Sequence, residues 1–260
     1  MSHILLFLAL LPSPQAPLAT VTLISESSHF TPGDTTWMAL AFEIPEGWHL
    51  YWNGLNDSGL EPTLELNLPP GFSAGALWWP HPTRKVIANL LVDHIYERHL
   101  ILPFPVYAPP DAPLGRIREI TAKVTWLICK QACIAEKATV ARDLPIGRDA
   151  IISQETSRPW IIAESIGIRA ARALVPKEAP EGLVQGEWTD NTLKLSVPGA
   201  THLEFFPHRE RALPLKLLEQ GAQDGPELSL DFEATTVSLG VSGVLEVRTA
   251  EGPTWYHIRF

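Results

Sequence analysis

Cysteine is almost missing from this chain, with two residues in 260. A disulfide-stapled miniature scaffold needs several bridges, and a structural zinc site takes four ligands. The fold must therefore be held by buried apolar surface. At 45% hydrophobic content the chain has enough of it, as one large domain or two small ones. Positive charge is also short: 20 Lys and Arg against 29 Asp and Glu, a net charge of −9. That balance excludes nucleic acid as a partner, because phosphate binding needs a cationic surface. No run reaches the ~18 apolar residues of a membrane helix. There is no phosphate-binding glycine loop, Ser/His/Asp arrangement or paired-carboxylate motif, and the nine histidines fall at no metal-ligand spacing. No cofactor and no metal site are expected.

Proline (24 residues) and tryptophan (9) are abundant instead. Prolines spread along an apolar chain favour short strands and loops over long helices. In residues 20–147, VTLISESS, TTWMALAFEI and HLILPFPVYA read as strands, separated by the turn signals Thr31-Pro32-Gly33-Asp34, Pro45-Glu46-Gly47 and Pro69-Pro70-Gly71. From Ile117 to Ile128 alternation is clear: Ile120, Ala122, Val124 and Trp126 share one face and Glu119, Thr121, Lys123 and Thr125 the other. Residues 148–179 read as a helical linker. Pro159 favours a helix start, Ile161, Ile162, Ile166, Ala170 and Leu174 recur at roughly helical spacing, and Pro176 ends the pattern. Residues 180–260 return to short strands, including TLKLSVP, HLEFFPH, GVLEVRT and WYHIRF, as in a small β-sandwich. The expected fold is all-β, two β-sandwich domains joined by a short helical linker.

The first 19 residues read as a signal peptide. Residues 4–11, ILLFLALL, match an export h-region and are too short to span a bilayer. The preceding Met-Ser-His lacks the usual basic residue, so a buried first strand is the competing reading. With the signal removed, the chain is expected to be periplasmic or otherwise exported, and soluble, where disulfides persist.

The two cysteines lie close together, Cys129-Lys-Gln-Ala-Cys133. On a straight strand they would be roughly 13 Å apart. A disulfide needs Cα atoms within about 4.4–6.8 Å, so a bridged pair requires the chain to turn between them. A loop this short contributes only about 2 kcal/mol as a staple, and Lys130 can favour a thiolate. Redox exchange, a structural staple in a non-enzymatic binding or scaffold module, and copper handling by two thiolates all remain open on spacing alone.

The surrounding motifs narrow this. Gly47-Trp48-His49-Leu50-Tyr51-Trp52, then Asn56-Asp57-Ser58-Gly59-Leu60, Leu68-Pro69-Pro70-Gly71-Phe72, Trp79-Pro80-His81-Pro82, Tyr96-Glu97-Arg98, Trp126 and Cys129-x-x-x-Cys133-Ile134 occur in that order. Over about residues 25–145 this resembles the N-terminal periplasmic domain of DsbD-type thiol:disulfide interchange proteins, and more closely the related ScsB-type proteins. Phe205-Phe206-Pro207 is similar to the second sandwich of the longer ScsB-type ectodomains. The resemblance implies immunoglobulin-like sandwiches and a redox-active pair, with Cys133 the attacking thiol and Cys129 the resolving one. It also implies a covering loop at Trp78-Trp79-Pro80-His81-Pro82, with Tyr51 and Trp126 lining the site. The implied activity is protein-disulfide reduction. The implied partners are a membrane-embedded DsbD/ScsB-like electron donor on a separate chain and thioredoxin-like or disulfide-isomerase acceptors. The C-x-x-x-C spacing is shorter than in the DsbD type, and Ala135 stands where ScsB-like sequences often have proline.

Overall fold

The computed structural model describes residues 18–147 and 159–260. The expected signal segment, up to residue 17, and the start of the expected helical linker, 148–158, lie outside the described residues. The described residues are mostly β, in four sheets whose strands pair antiparallel except for one short parallel pair. No helix among them is long and apolar enough to cross a membrane.

The first sheet runs β1 (Thr20–Ser25), β2 (Thr35–Glu43), β8 (His99–Tyr107), β5 (Ser73–Ala74). The second runs β10 (Cys133–Pro145), β9 (Ile117–Cys129), β3 (His49–Tyr51), β7 (Leu91–Glu97), β6 (Thr83–Ile87), with β4 (Thr63–Asn67) also pairing β9. One core lies between them. Met38, Leu40 and Phe42 meet Ile120, Ala122, Val124, Trp126 and Ile128, the face that alternation assigned to the interior.

The C-terminal part has a five-stranded sheet, β11 (Lys177–Glu178), β18 (Gly252–Arg259), β17 (Ser242–Thr249), β14 (His202–Pro207), β15 (Ala222–Asp224), and a three-stranded one, β12 (Gln185–Thr189), β13 (Thr192–Ser196), β16 (Glu227–Asp231). Leu193, Leu195, Leu228, Leu230, Phe205 and Leu245 form its core. The two parts are not separate: Phe206 and Val244 join the core of the first, beside Trp52.

Helix α1 (Pro159–Ala173) falls where helical spacing was read, but its buried face differs. Ile161, Ser165, Ile168 and Ala171 are buried, whereas Ile162, Ile166 and Leu174 are exposed. The helix lies on the outer face of the first sheet, with Ile168 against Ile24 and Ala39. Two helix side chains fix this docking: Glu164 accepts from Arg142 at 2.7 Å and from the Ser25 amide at 3.1 Å, and the Arg172 guanidinium stacks 3.8 Å over Trp37.

Candidate functional site

Ile128 points into the core, so the next residue, Cys129, emerges on the outer face of the second sheet. The chain reverses through Lys130, Gln131 and Ala132, and Cys133 begins β10 as the register partner of Cys129. Reversal supplies what a straight strand denies: the Cα atoms are 4.1 Å apart, just under the usual span, and a disulfide joins the sulfurs. The bridge thus crosses the neck of a hairpin at the sheet's rim. Its two ends differ. Cys129 is 3% exposed and packs with Tyr51, Ile95 and Leu127, while Cys133 is exposed.

Beside Cys129 the sheet continues into β3, where His49 is its register partner. Gly47 allows the entry into β3: it takes φ 78°, and Lys130 lies over it at 3.3 Å from a virtual Cβ. Tyr51, two residues past His49, shares its face. Its hydroxyl is 3.4 Å from the Cys133 Sγ and 3.1 Å from the Ser58 Oγ. The Ser58 hydroxyl donates to Asp93, and the Ser58 amide donates to the same carboxylate at 2.9 Å. Asp93 is wholly buried. A chain of polar contacts therefore leads from the accessible sulfur to a buried carboxylate; with the Ser58 proton on Asp93, the single Tyr51 proton serves either Ser58 or the sulfur.

The segment Asn53–Leu60 builds this arrangement by pairing side chains with the backbone of β7. Asn56 accepts from the His94 amide at 2.7 Å and donates to the Trp52 carbonyl at 2.9 Å, and Asp57 accepts from the Val92 amide at 2.7 Å. Gly59 then passes flat over Tyr51; a Cβ there would lie 2.1 Å from the ring. Enclosed in this way, the Tyr51 phenol is raised above its ordinary pKa, chiefly by burial, and stays a protonated donor at neutral pH. The Ser58 hydrogen bond opposes that rise and Asp93 adds to it. His49 is pushed down, first by burial and then by Lys85, whose Nζ is 3.3 Å from Nδ1; Asp93 and Glu97 oppose this. Lys85 also pairs with Glu97 at 3.2 Å. Among the described residues no group of three or more His, Cys, Asp or Glu side chains is set to hold a metal ion.

Of the residues expected around the pair, the structure brings Tyr51 to it and takes the others elsewhere. Trp126 is on the opposite face, donating to Glu136 at 2.9 Å and meeting Phe42 edge-on at 5.5 Å. Trp78 meets Trp37 at 4.6 Å, His81 stacks on Trp255 at 3.5 Å, and Trp79 lines a cavity of about 350 Å³ with Trp52, His208 and His257. Their rings are occupied where the first two sheets meet the helix and the C-terminal part. Ser58, Asp93 and His49 join the site without having been expected there. The available signal was the Asn-Asp-Ser-Gly run, a turn-forming cluster too specific for a plain loop.

Comparison with known proteins bears on this geometry. A family model described as thiol:disulfide interchange protein DsbD, N-terminal, matches residues 20–145. Among solved structures, the chain is similar to the N-terminal periplasmic domain of ScsB from Proteus mirabilis, at 16% identity, 96% of each chain and TM-score 0.61. That likeness concerns the fold. The Neisseria meningitidis DsbD N-terminal domain in the reduced form aligns over 49% of this chain and 86% of its own, at 12% identity and TM-score 0.31, too low to carry an argument. No curated protein matches.

Proposed function

We propose, from the premise that residues 20–145 belong to the DsbD N-terminal domain family, that this chain is a protein-disulfide reductase relaying electrons through Cys129 and Cys133. The observation that carries the reading is the asymmetry of the pair: an exposed Cys133, in reach of a phenol donor, and a buried Cys129 directly behind it. Exchange needs one attackable sulfur and one held in reserve.

The cycle follows. A donor dithiol attacks the Cys133 sulfur, breaks the Cys129–Cys133 bond and, through its second thiol, leaves as a disulfide. The protein then holds two thiols. The Cys133 thiolate attacks a partner's disulfide, forming a mixed disulfide and expelling one partner thiolate, which takes up a proton. Cys129 attacks Cys133, re-forms the internal bridge and expels the second. Two electrons and two protons pass to the partner. When the thiolate forms, Tyr51 turns its one proton from Ser58 to the Cys133 sulfur and so lowers the cost of forming it.

Within this reading the donor is a membrane-embedded protein on another chain and the acceptors are thioredoxin-like or isomerase proteins in the periplasm. The sheets form two immunoglobulin-like sandwiches, 20–147 and 180–260, linked by the segment containing α1. The periplasmic setting of the ScsB domain supports this location.

Non-reducing gels of Cys129→Ser and Cys133→Ser, reduced and mixed with an oxidised thioredoxin-like protein, test the roles. Cys129→Ser should accumulate a covalent complex that nothing resolves, and Cys133→Ser should give little. Equal trapping by both overturns the roles. Absence of trapping by either, with wild type also inert, replaces the relay with a bridge that braces a hairpin.

A further inference from the structure

The C-terminal part carries no cysteine, yet it grips the segment that builds the site. We propose that Arg209 is a positioning residue for the redox pair, holding the Asn53–Glu61 loop so that Ser58 meets Tyr51 and Asp93; this rests on the relay reading above.

One guanidinium nitrogen of Arg209 reaches both ends of the loop, the Gly54 carbonyl at 2.9 Å and the Glu61 carboxylate at 2.9 Å. Between them the Leu55 amide donates to the Pro207 carbonyl at 2.9 Å. The loop's inner side is fastened to β7, and the His94 ring, hydrogen-bonded to the Leu55 carbonyl at 2.6 Å, lies 5.1 Å from Phe206. The C-terminal segment Phe206–Arg209 thus forms one wall of the loop and β7 the other. The loop has little slack at its start: Gly54 sits on the Trp52 ring, where a Cβ would come within 1.8 Å. A shift of Gly54 or Glu61 is therefore passed along the loop to Ser58 rather than absorbed. Arg209 is partly exposed and lines an open polar cavity of about 390 Å³, so shortening it neither overpacks nor empties a core.

Both contacts come from one guanidinium nitrogen, so a lysine keeps the charge and the donors but on a shorter stem. Arg209→Ala should release the loop, and Arg209→Lys should restore part of the effect. The test is made on the full chain with two measurements that need no redox partner. Hydrogen exchange should quicken about fivefold at Leu55 and Ser58 in Arg209→Ala, the scale of one lost hydrogen bond. The pH profile of Cys133 alkylation in the reduced protein should move to higher pH as Tyr51 loses its fixed orientation, and Arg209→Lys should lie between the two. Glu61→Gln, which keeps the Gly54 contact, should give a smaller shift of the same sign, and it serves if Arg209→Ala does not fold. Unchanged loop exchange, or a Cys133 profile that does not move in a folded variant, overturns the proposal. Failure of the relay reading would appear separately, as wild type that does not exchange with oxidised partners.

Discussion

The two faces of the second sheet share the same strands and have opposite characters. On the inner face β9 contributes Ile120, Ala122, Val124, Trp126 and Ile128, all buried in an apolar core. On the outer face the same sheet buries Tyr51, His49 and Asp93 around Cys129, under a loop rather than another sheet. Burying such groups is costly unless they find partners; Ser58 supplies them to Tyr51 and Asp93, while Asn56 and Asp57 tie the loop to the β7 backbone. The inner face thus bears stability, while the outer one holds a reactive pair in place.

The largest test of this division is Trp126→Ala. It should cost about 3–5 kcal/mol in chemical denaturation and leave the reduction potential of the bridge nearly unchanged. A large shift in potential would mean that the faces are not independent.

Acidification should give the next largest effect. Burial pushes His94 down to about 4, with Arg84 adding to the depression and the Leu55 hydrogen bond and Asp93 opposing it. A histidine depressed in the folded state resists protonation there but not when unfolded. Its contribution is therefore complete above about pH 6.5 and is lost as pH falls toward 4, amounting to about 2 kcal/mol at pH 5. Urea midpoints at pH 7 and pH 5 should show this loss, and His94→Gln should flatten it. An equal acid slope in the variant would assign the loss to other groups.

Tyr51→Phe should be the mildest for stability, about 1 kcal/mol for the lost hydroxyl contacts. It should also raise the Cys133 thiol pKa, since the thiolate loses a donor. Iodoacetamide reactivity against pH measures this. A lower midpoint in the variant would contradict the role given to the phenol.

This division also decides what could be read from the chain alone. The inner face was legible because apolar alternation is a local signal: Ile120 to Trp126 announced both strand and interior. The strand positions of the C-terminal part, such as TLKLSVP at β13 and HLEFFPH at β14, were legible for the same reason. Helix α1 was legible from its spacing but its buried face was not, because Ser165 turns inward beside Ile161 and Ile168 while Ile162 and Ile166 stay exposed. The outer face was harder. Asp93 lies in a strand and Ser58 in a loop, and only long-range folding joins them. Trp78, Trp79 and His81 were expected near the pair from the family resemblance, but their neighbours are Trp37, Trp255 and the cavity between the parts, which no local pattern encodes.

The most direct test of the central claim is the reduction potential of the Cys129–Cys133 bridge, measured in the full chain against a thioredoxin-like redox couple. A working relay must accept and donate electrons, so its potential should lie above about −300 mV and the protein should equilibrate with that couple within the assay. A potential well below about −300 mV, or a bridge that stays intact in the native protein, would make the pair a structural staple and contradict the account.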